Sequence, residues 1–517
     1  MLADRSVARS SMVMSAGLLA ANLLSLAKEM VTTATFGVST GMDAYFIALL
    51  VPSLFLVVAN GVGDAFIPKY VGLLAGGRDG AASEFHARYT TYAVLYSLAA
   101  ALVIAVAAPA LLSVLAPGAG PETRQAATGF ARVLGLLVLL ESLAGIATLT
   151  FHCRRQFALP SLSPLTVTVV TIAAILLLHR SLGPGSLVAG LLAGSVLNVA
   201  VLALFLRRQG VPLRLRFGAP GRDLIELFRL GLPLAASRLL SQANGIIDKA
   251  MASFLRVGSI SVISWASRMY GFCYQLFIYS VYRVLIPHFS DQVARGDWAA
   301  VRATLDKALR FSALIILPLT CGVALLSDLL ITVAFQRGSF TPAAAHLTAA
   351  VLRLYLLGLL WDAVNSIFFA VLLALRETNK ILAIGLLAGC VPNLVLNYVF
   401  MRWLQAPGIA LATAVVSLLN TGLLYAILRR RIGAFLPASF RTFLWKVVLA
   451  TAVMGLSAWL LSAFLRSRVD PVTLQRQLLH LAAVAATATG VYAATLRALR
   501  LPELDSLRQL FTRGRPA

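Results

Sequence analysis

The sequence consists largely of apolar runs that are long enough to cross a bilayer as helices. The runs from Ala93 to Leu115 and from Ile381 to Phe400 each reach the roughly 20 residues that an α-helix needs to span hydrocarbon. Backbone polar groups in lipid must be bonded internally, which leaves helices or a closed barrel. A barrel would show strictly alternating segments of about 10 residues. These runs are longer and apolar on all sides, so the sequence predicts an all-α polytopic membrane protein.

The composition supports a membrane protein and argues against a nucleic-acid-binding one. Hydrophobic residues make up 59% of the 517 residues and charged residues 12%, whereas soluble proteins carry about 25% charged residues. The net charge is +24, but the basic residues fall in short clusters between apolar runs. A nucleic-acid-binding protein gathers them on one face or in one tail. The distribution therefore indicates membrane topology, with the phospholipid bilayer as a partner and no nucleic acid.

We predict about fourteen transmembrane helices from these runs. They lie near 11–34, 42–61, 89–115, 126–151, 163–179, 185–206, 231–255, 259–286, 308–334, 346–374, 380–401, 407–428, 442–465 and 476–497. With the N-terminus inside, the cytoplasmic segments hold 29 Lys and Arg residues and the outer loops hold 9. The positive-inside rule then places both termini in the cytoplasm. The apolar stretch after Arg9 lacks a small-residue cleavage site, which predicts a retained first helix.

An internal repeat divides the predicted helices into two lobes. Ile67-Pro68 is followed by Ala75 and Gly77, and Ile286-Pro287 by Ala294 and Gly296, with identical spacing. Two parallel six-helix lobes are a known transporter plan, with the substrate path between them. We predict an N-lobe over 1–206, a basic cytoplasmic linker over 207–230, a pseudo-symmetric C-lobe over 231–428, and two extra helices with a tail over 429–517. The six arginines of the linker indicate either topology alone or contact with anionic headgroups.

Polar residues inside the predicted spans are candidates for function, because ionisable groups in a membrane are costly. Asn22, Ser25 and Glu29 share one face of the first helix, which indicates a water-filled cavity there. Lys28 lies beside that face, and Asp43 opens the second span. Arg268 lies well inside the eighth span. Snorkelling from such a position is difficult, so we predict a functional role for Arg268.

Further polar residues occur in the fourth, seventh, eighth and tenth spans. In the seventh span, Arg238, Ser241, Gly245 and Asp248 follow helical spacing, so this side of the helix is not expected to face lipid. For the remaining ionisable residues, structural roles such as interhelical pairing are the preferred interpretation. They are Arg132, Glu141, Arg283, Arg353 and Asp362.

A possible sodium site follows from four oxygen-bearing residues. Asn393 and Asn397 lie one turn apart on the eleventh span, and Thr413 enters the twelfth. With Asp248 they offer one carboxylate and three neutral oxygens, and oxygen ligands suit a hard cation. The alternative is that the amides join helices to one another. No other cofactor is predicted, and the four isolated cysteines support neither a zinc site nor disulfides.

Several motifs resemble the MviN/MurJ family, and the similarity runs from about residue 10 to residue 500. The matching segments are Ser10-Ser11-Met12, Phe36-Gly37, Met42-Asp43-Ala44-Tyr45-Phe46, Ala65-Phe66-Ile67-Pro68, Ser241-Gln242, Ala252-Ser253-Phe254-Leu255, Gly258-Ser259, Arg268 and Phe335-Gln336-Arg337-Gly338-Ser339-Phe340-Thr341. The resemblance implies a flippase of the multidrug/oligosaccharidyl-lipid/polysaccharide exporter superfamily. It also implies a cell inner membrane location, alternating access, and an undecaprenyl-pyrophosphate-linked cargo, typically lipid II.

The resemblance also implies roles for individual residues. Lys28 and Arg268 look like cavity cations that hold the pyrophosphate, and Glu29 and Asp43 resemble acidic positions of the family. Asn22 stands where the family usually has arginine. Asp248, Asn393, Asn397 and Thr413 look like the sodium site of some members. Partnership with cell-wall or polysaccharide synthesis enzymes is a further expectation.

Departures from the family pattern leave the cargo open. Besides Asn22, Leu56 and Val57 replace a frequent arginine pair in the second helix. A cavity with fewer cations makes fewer charge-assisted contacts to pyrophosphate. The main alternative is therefore a flippase for another polyprenyl-linked saccharide, of exopolysaccharide or O-antigen type. A cation-coupled drug exporter and a membrane glycosyltransferase fit less well, since Lys28 and Arg268 favour an anionic headgroup and no outer loop is long enough for a catalytic domain. An enzyme is not predicted.

Overall fold

The structure, a computed structural model, describes residues 21–211, 213–218, 221–375, 377, 384–468, 473–501 and 503. These residues are almost entirely helical and contain no β-strand, which confirms the predicted all-α membrane fold. They divide into two compact units. The first runs up to Ser261 and includes Phe335–Thr341, and the second comprises Val262–Ala334 and the residues from Pro342 onward. The Ser10-Ser11-Met12 motif, Lys380 and the C-terminal tail lie outside the described residues, as does the side chain of Arg283.

The helices of the first unit begin within the predicted N-lobe and extend beyond it. They are 21–36 (α1), Thr40–Ala75 (α2), Asp79–Leu115 (α3), Pro121–Leu134 (α4), Leu136–Cys153 (α5), Ala158–Leu162 (α6), Pro164–Leu182 (α7), Gly185–Arg208 (α8) and Arg222–Ala252 (α9). α2 lies at the centre of this unit, where it packs against α3, α4, α5 and α9.

The second unit contains most of α10 and all later helices except the Phe335 end of α13. They are Ser259–Tyr274 (α10), Ser280–Ala294 (α11), Trp298–Leu325 (α12), Ser327–Phe335 (α13), Pro342–Leu356 (α14), Leu359–Ala374 (α15), Val391–Leu404 (α16), Ala406–Ile432 (α17), Ala438–Arg468 (α18) and Leu474–Ala498 (α19). π-helical segments, Gln275–Tyr279 and Gly385–Cys390, precede α11 and α16. α17 packs against α14, α15 and α16, while α18 packs against α12 and α19.

The length and apolarity of the described helices account for eleven of the fourteen predicted spans. Ten helical stretches qualify, three of which join segments given separately above, namely Pro121–Cys153, Ala158–Leu182 and Gly385–Leu404. The pair α14 and α15, bent by 40°, gives an eleventh when it is counted as one span. The first predicted span begins before the described residues. The seventh lies in α9, which carries Arg238, Asp248 and Lys249, and the eighth is divided between α10 and α11 by a π-helical segment. The seventh and eighth predicted spans therefore lie in helices that are too polar or too irregular to be recognised as spans by length and apolarity alone.

The packing of α9 differs from the division that the repeat suggests. The repeat assigns residues 231–428 to the second lobe, whereas α9 packs on α2 in the first unit. A Cβ atom on Gly231 would lie 2.6 Å from the Cα atom of Val62, and one on Gly61 would lie 2.5 Å from that of Ala235. Small residues let two membrane helices approach this closely. The lobe boundaries themselves stay a prediction.

Candidate functional site

The predicted polar face of α1 leads from partly buried residues to a buried carboxylate. Asn22 and Ser25 are partly buried, and Glu29 is 6% exposed. The Nζ atom of Lys28 lies 3.0 Å from the Oε1 atom of Glu29. An ammonium group has three N–H donors, so Lys28 can donate further hydrogen bonds beside its ion pair with Glu29. The substrate-binding roles of Asn22, Lys28 and Glu29 stay predictions.

Asp43 is buried and accepts hydrogen bonds from the start of α10. The N–H of Gly258 donates to its Oδ2 atom at 2.6 Å, and the N–H of Ser261 donates to its Oδ1 atom at 2.7 Å. The hydroxyl of Ser261 donates to Oδ1 as well. Unpaired N–H groups at a helix N-terminus attract an anionic acceptor. In this conformation both oxygens of Asp43 therefore hold the start of α10, and its contact with substrate stays a prediction.

Replacing Asp43 with asparagine is expected to destabilise the protein by about 1–3 kcal/mol, because the new NH₂ group would face a backbone N–H donor. Ser261→Ala removes one hydroxyl donor and leaves both backbone bonds, so it should cost only about 0.5–1.5 kcal/mol. Thermal unfolding of the purified variants in one detergent measures both. Equal stabilities of Asp43→Asn and the unmodified protein would show that these bonds contribute little.

The segment Phe335–Thr341, whose sequence resembles the family, docks on the end of α1. The N–H of Ser339 donates to the carbonyl of Ala34 at 2.8 Å, and its hydroxyl donates to the carbonyl of Thr35 at 3.0 Å. The last carbonyls of a helix lack partners within the helix. The segment therefore caps α1, the helix that carries Lys28 and Glu29.

An ion pair that the sequence did not indicate joins α2 to α9. The Nε and Nη2 atoms of Arg238 donate to the two carboxylate oxygens of Asp64 at 2.8 and 2.9 Å. Both side chains line a cavity of about 350 Å³ between α2, α3, α5 and α9. Other polar or aromatic residues of its wall include Asn60, Tyr89, Tyr92, Tyr96 and His152. The sequence placed Arg238 on a polar face, but Asp64 fell in a predicted cytoplasmic loop and gave no signal.

Arg268 lies in the part of α10 that belongs to the second unit. Its guanidinium carbon lies 5.7 Å from the ring centroid of Trp265, which is fully buried. Attraction to an aromatic face orients a guanidinium and contributes about 0.5–2 kcal/mol. The structure therefore places a partly buried cation within a membrane helix, as the sequence predicts. Its contact with a substrate stays a prediction.

The structure brings two of the four predicted sodium ligands into contact. Asn393 and Asn397 are fully buried, and the Nδ2 atom of Asn397 donates to the Oδ1 atom of Asn393 at 3.1 Å. Thr413 lies on α17, which packs against α16, and its hydroxyl donates to the carbonyl of Ile409. Asp248 is buried in the first unit. Neutral oxygens with one carboxylate suit Na⁺, and the site stays a prediction.

The intramembrane carboxyls of the fourth and tenth spans bind hydroxyl groups of neighbouring helices. Ser195 donates to Glu141 at 2.9 Å, and Tyr270 donates to Asp362. Neither carboxyl pairs with the arginine of its own span. Arg132 donates to the carbonyl of Ala105, and Arg353 binds Asp328. The two carboxyls thus join neighbouring helices through hydroxyl groups, whereas Arg353 joins α14 to α13 through an ion pair.

Comparison with solved structures identifies the fold. A structure described as "Lipid II flippase MurJ, inward closed conformation" has a TM-score of 0.78 and 21% identity, and the match covers 95% of this chain and 100% of that one. An inward-facing multidrug resistance transporter of the MATE family has a TM-score of 0.68 at 16% identity, with 82% of this chain and 98% of that one covered. At these identities the matches show a shared fold.

Comparison of sequences shows the family. A probable lipid II flippase MurJ of Synechocystis is 25% identical over 522 aligned positions, which cover 98% of this chain and 97% of the relative. The corresponding protein of Thermotoga maritima is 26% identical and covers 90% and 93%. The family model for the lipid II flippase MurJ matches residues 32–479. The chain is a multi-pass membrane protein that belongs to the MurJ family of lipid II flippases.

Proposed function

We propose that this protein moves lipid II, the undecaprenyl-pyrophosphate-linked peptidoglycan precursor, from the cytoplasmic to the periplasmic leaflet of the inner membrane. The observation that carries the proposal is the match of the family model to residues 32–479. Alternating access of two lobes would expose the headgroup site to each side in turn. Transport without a chemical step makes the protein a transporter rather than an enzyme.

The proposed site for the pyrophosphate consists of the cations that interrupt the membrane helices. Lys28 supplies a point charge beside Glu29, and Arg268 supplies a guanidinium held against Trp265. Arg and Lys donors bind phosphate oxygens by charge-assisted hydrogen bonds. Asn22 would contribute a neutral donor at a position where the family resemblance implies arginine. The headgroup would therefore be held by fewer charges.

The proposed orientation has both termini in the cytoplasm. The 29 basic residues of the predicted inside segments, against 9 outside, support it. In this orientation the linker arginines face the leaflet in which lipid-linked precursors are made. Enzymes of cell-wall or polysaccharide synthesis are candidate partners there. Na⁺ at Asp248, Asn393, Asn397 and Thr413 is the proposed coupling ion.

A second cargo, another polyprenyl-linked saccharide, is favoured by one specific observation. Leu56 is partly buried and Val57 is 2% exposed in α2. The family resemblance implies an arginine pair at these two positions. Apolar residues at both positions remove two possible phosphate contacts. Such a cavity would suit a carrier with fewer charged groups than lipid II, for example an exopolysaccharide or O-antigen unit.

Complementation separates the two cargoes. The chain, with an epitope tag to confirm membrane insertion, is expressed in a strain depleted of its own lipid II flippase. Growth is the expected result, because only lipid II transport restores the wall. Absence of growth at normal expression would contradict the proposal, and restoration of polysaccharide export in a strain lacking that flippase would then identify the second cargo.

A further inference from the structure

Glu141 and Asp362 occupy matched positions in the two halves of the sequence. They are 221 positions apart, and Ser195 and Ser417, on the sixth helix of each block, are 222 positions apart. The two Ile-Pro motifs of the internal repeat are separated by 219 positions. The repeat therefore duplicates a carboxyl group on the fourth helix of a block together with a serine on the sixth.

Each carboxyl accepts a hydrogen bond from a hydroxyl group of a neighbouring helix. In the first unit, α5 packs on α8 and Ser195 donates to the Oε1 atom of Glu141 at 2.9 Å. In the second unit, α15 packs on α17, which carries Ser417 at the matched position, and Tyr270 of α10 donates to the carboxyl of Asp362. Each carboxyl group thus joins two helices of its unit.

Asp362 follows a bend in its span. The axis bends by 40° at Leu357 and Gly358, and α15 begins with Asp362 in its first turn. The span of Glu141 continues through Gly135 with helical backbone angles. Discontinuous membrane helices are places where transporters bind coupling ions.

The surroundings of Asp362 are rich in hydroxyl groups. Tyr270 donates to it from α10, and the ring of Tyr355 on α14 lies 5.8 Å from that of Tyr270. Behind it, the hydroxyl of Thr421 on α17 donates to Asn365 at 2.8 Å, and Tyr274 bonds Ser366 at 3.0 Å. These groups extend the network from α10 through α15 to α17.

Three arginines on the helices around Asp362 have partners elsewhere, and Arg268, two residues before Tyr270 on α10, lies over the ring of Trp265. Arg353 of α14 binds Asp328, and two arginines of α12 bind acceptors outside this network. They are Arg302, on the carbonyl of Ile432, and Arg310, on Asp306 and Glu503. Among the described residues, no ion pair with Asp362 is present.

Several titratable groups on the helices around Glu141 are likewise engaged with other partners. They are Asp43 with Ser261, Asp64 with Arg238, Lys69 with Asp223, His86 with Thr150, Tyr92 with Gly218, Tyr96 with Phe55 and Arg132 with Ala105. Tyr89 also lies on α3, in the core of the unit. Within the described part of the chain, Glu141 has no ion pair either.

An ionised carboxylate without a counter-ion inside a membrane costs several kcal/mol, so it must be neutralised by a proton or a cation. Both side chains are partly exposed within the structure. We propose that Glu141 and Asp362 are duplicated proton-exchange sites, one in each unit, that bind a proton when closed from water and release it when hydrated. The proposal rests on the proposed transport function, for which it supplies the proton as a coupling ion besides the Na⁺ proposed above.

Infrared spectroscopy of the purified full chain tests the sites without transport. The C=O stretch of protonated carboxylic acids should titrate with pH, and Glu141→Gln and Asp362→Asn should each remove part of that signal. Asp291→Asn is the matched control, because Asp291 forms an exposed ion pair with Arg295. The conservative Asp362→Glu should keep a titrating band at a shifted frequency. An unchanged titrating band in both amide variants would overturn the proposal.

Transport in vesicles with fluorescent lipid II tests the coupling. A pH gradient should accelerate flipping by the unmodified protein, and either amide variant should reduce that response by roughly tenfold or more. Acceleration by a Na⁺ gradient but not by a pH gradient would overturn the identity of the ion. Titrating bands in a protein that does not flip lipid II would contradict the proposed cargo and leave the proton sites standing.

Discussion

Replacing Arg268 with alanine is expected to abolish complementation of a flippase-depleted strain while the protein still folds. Arg268 is a partly buried cation within α10, held against Trp265. A charge at this depth costs about 2.5–3.5 kcal/mol on insertion scales, so its presence indicates a function that offsets the cost. Removal of one charge-assisted hydrogen bond to pyrophosphate would cost about 1.5–3 kcal/mol, which corresponds to roughly ten- to a hundredfold weaker binding.

The matched control for this experiment is Arg402→Ala. Arg402 also lies over an aromatic ring, that of Tyr398, at 4.1 Å, but at the C-terminal end of α16. Its loss should leave growth unchanged. Arg268→Lys keeps the charge and should retain part of the activity. Membrane expression and thermal unfolding of all three variants establish folding, and full growth with Arg268→Ala would exclude a role in headgroup binding.

Replacing Gly338 with alanine is expected to lower the free energy of unfolding by about 2–5 kcal/mol. Gly338 has a φ of +53°, and a Cβ atom there would lie 2.2 Å from the carbonyl oxygen of Ala34. The left-handed conformation costs about 1–2 kcal/mol for a residue with a Cβ, and overpacking adds about 1–3 kcal/mol. Displacement of the segment would also remove the bonds from Ser339 that cap α1.

Gly77→Ala measures the cost of the left-handed backbone conformation without the cost of a steric clash. Gly77 has a φ of +66°, and a Cβ atom there would meet nothing within 4 Å. It should therefore cost only about 1–2 kcal/mol. Thermal unfolding in detergent measures the difference between the variants, and complementation shows whether the position of α1 matters for transport. Equal destabilisation by the two substitutions would mean that the segment Phe335–Thr341 can move away from α1 without loss of stability.

Local spacing was sufficient where partners lie on one helix. Asn393 and Asn397 are one turn apart in the sequence, and their side chains are hydrogen-bonded in the structure. The same reasoning was insufficient for Arg132 and Glu141, which share a span but bind different helices. Sequence proximity gives two side chains a chance to meet, but the neighbouring helices decide which contact forms.

Partners on distant helices carried no local signal. The contact of Asp64 with Arg238 joins residues 174 positions apart, and Asp43 reaches Ser261 across 218 positions. Each residue by itself is a single charge or hydroxyl in an apolar stretch. The internal repeat is the one sequence feature that points to such a contact, because it relates Glu141 and Ser195 to Asp362 and Ser417.

The sequence by itself determined the class of protein, its helices, and the family through its motifs. It did so because a bilayer requires about 20 apolar residues for each span and internal bonding of each backbone. The tertiary structure alone decided which polar residues meet, that α9 packs with the first unit, and that Asp43 holds the start of α10. Helix contacts depend on the close fit of side chains from distant segments, which apolar patterning does not specify.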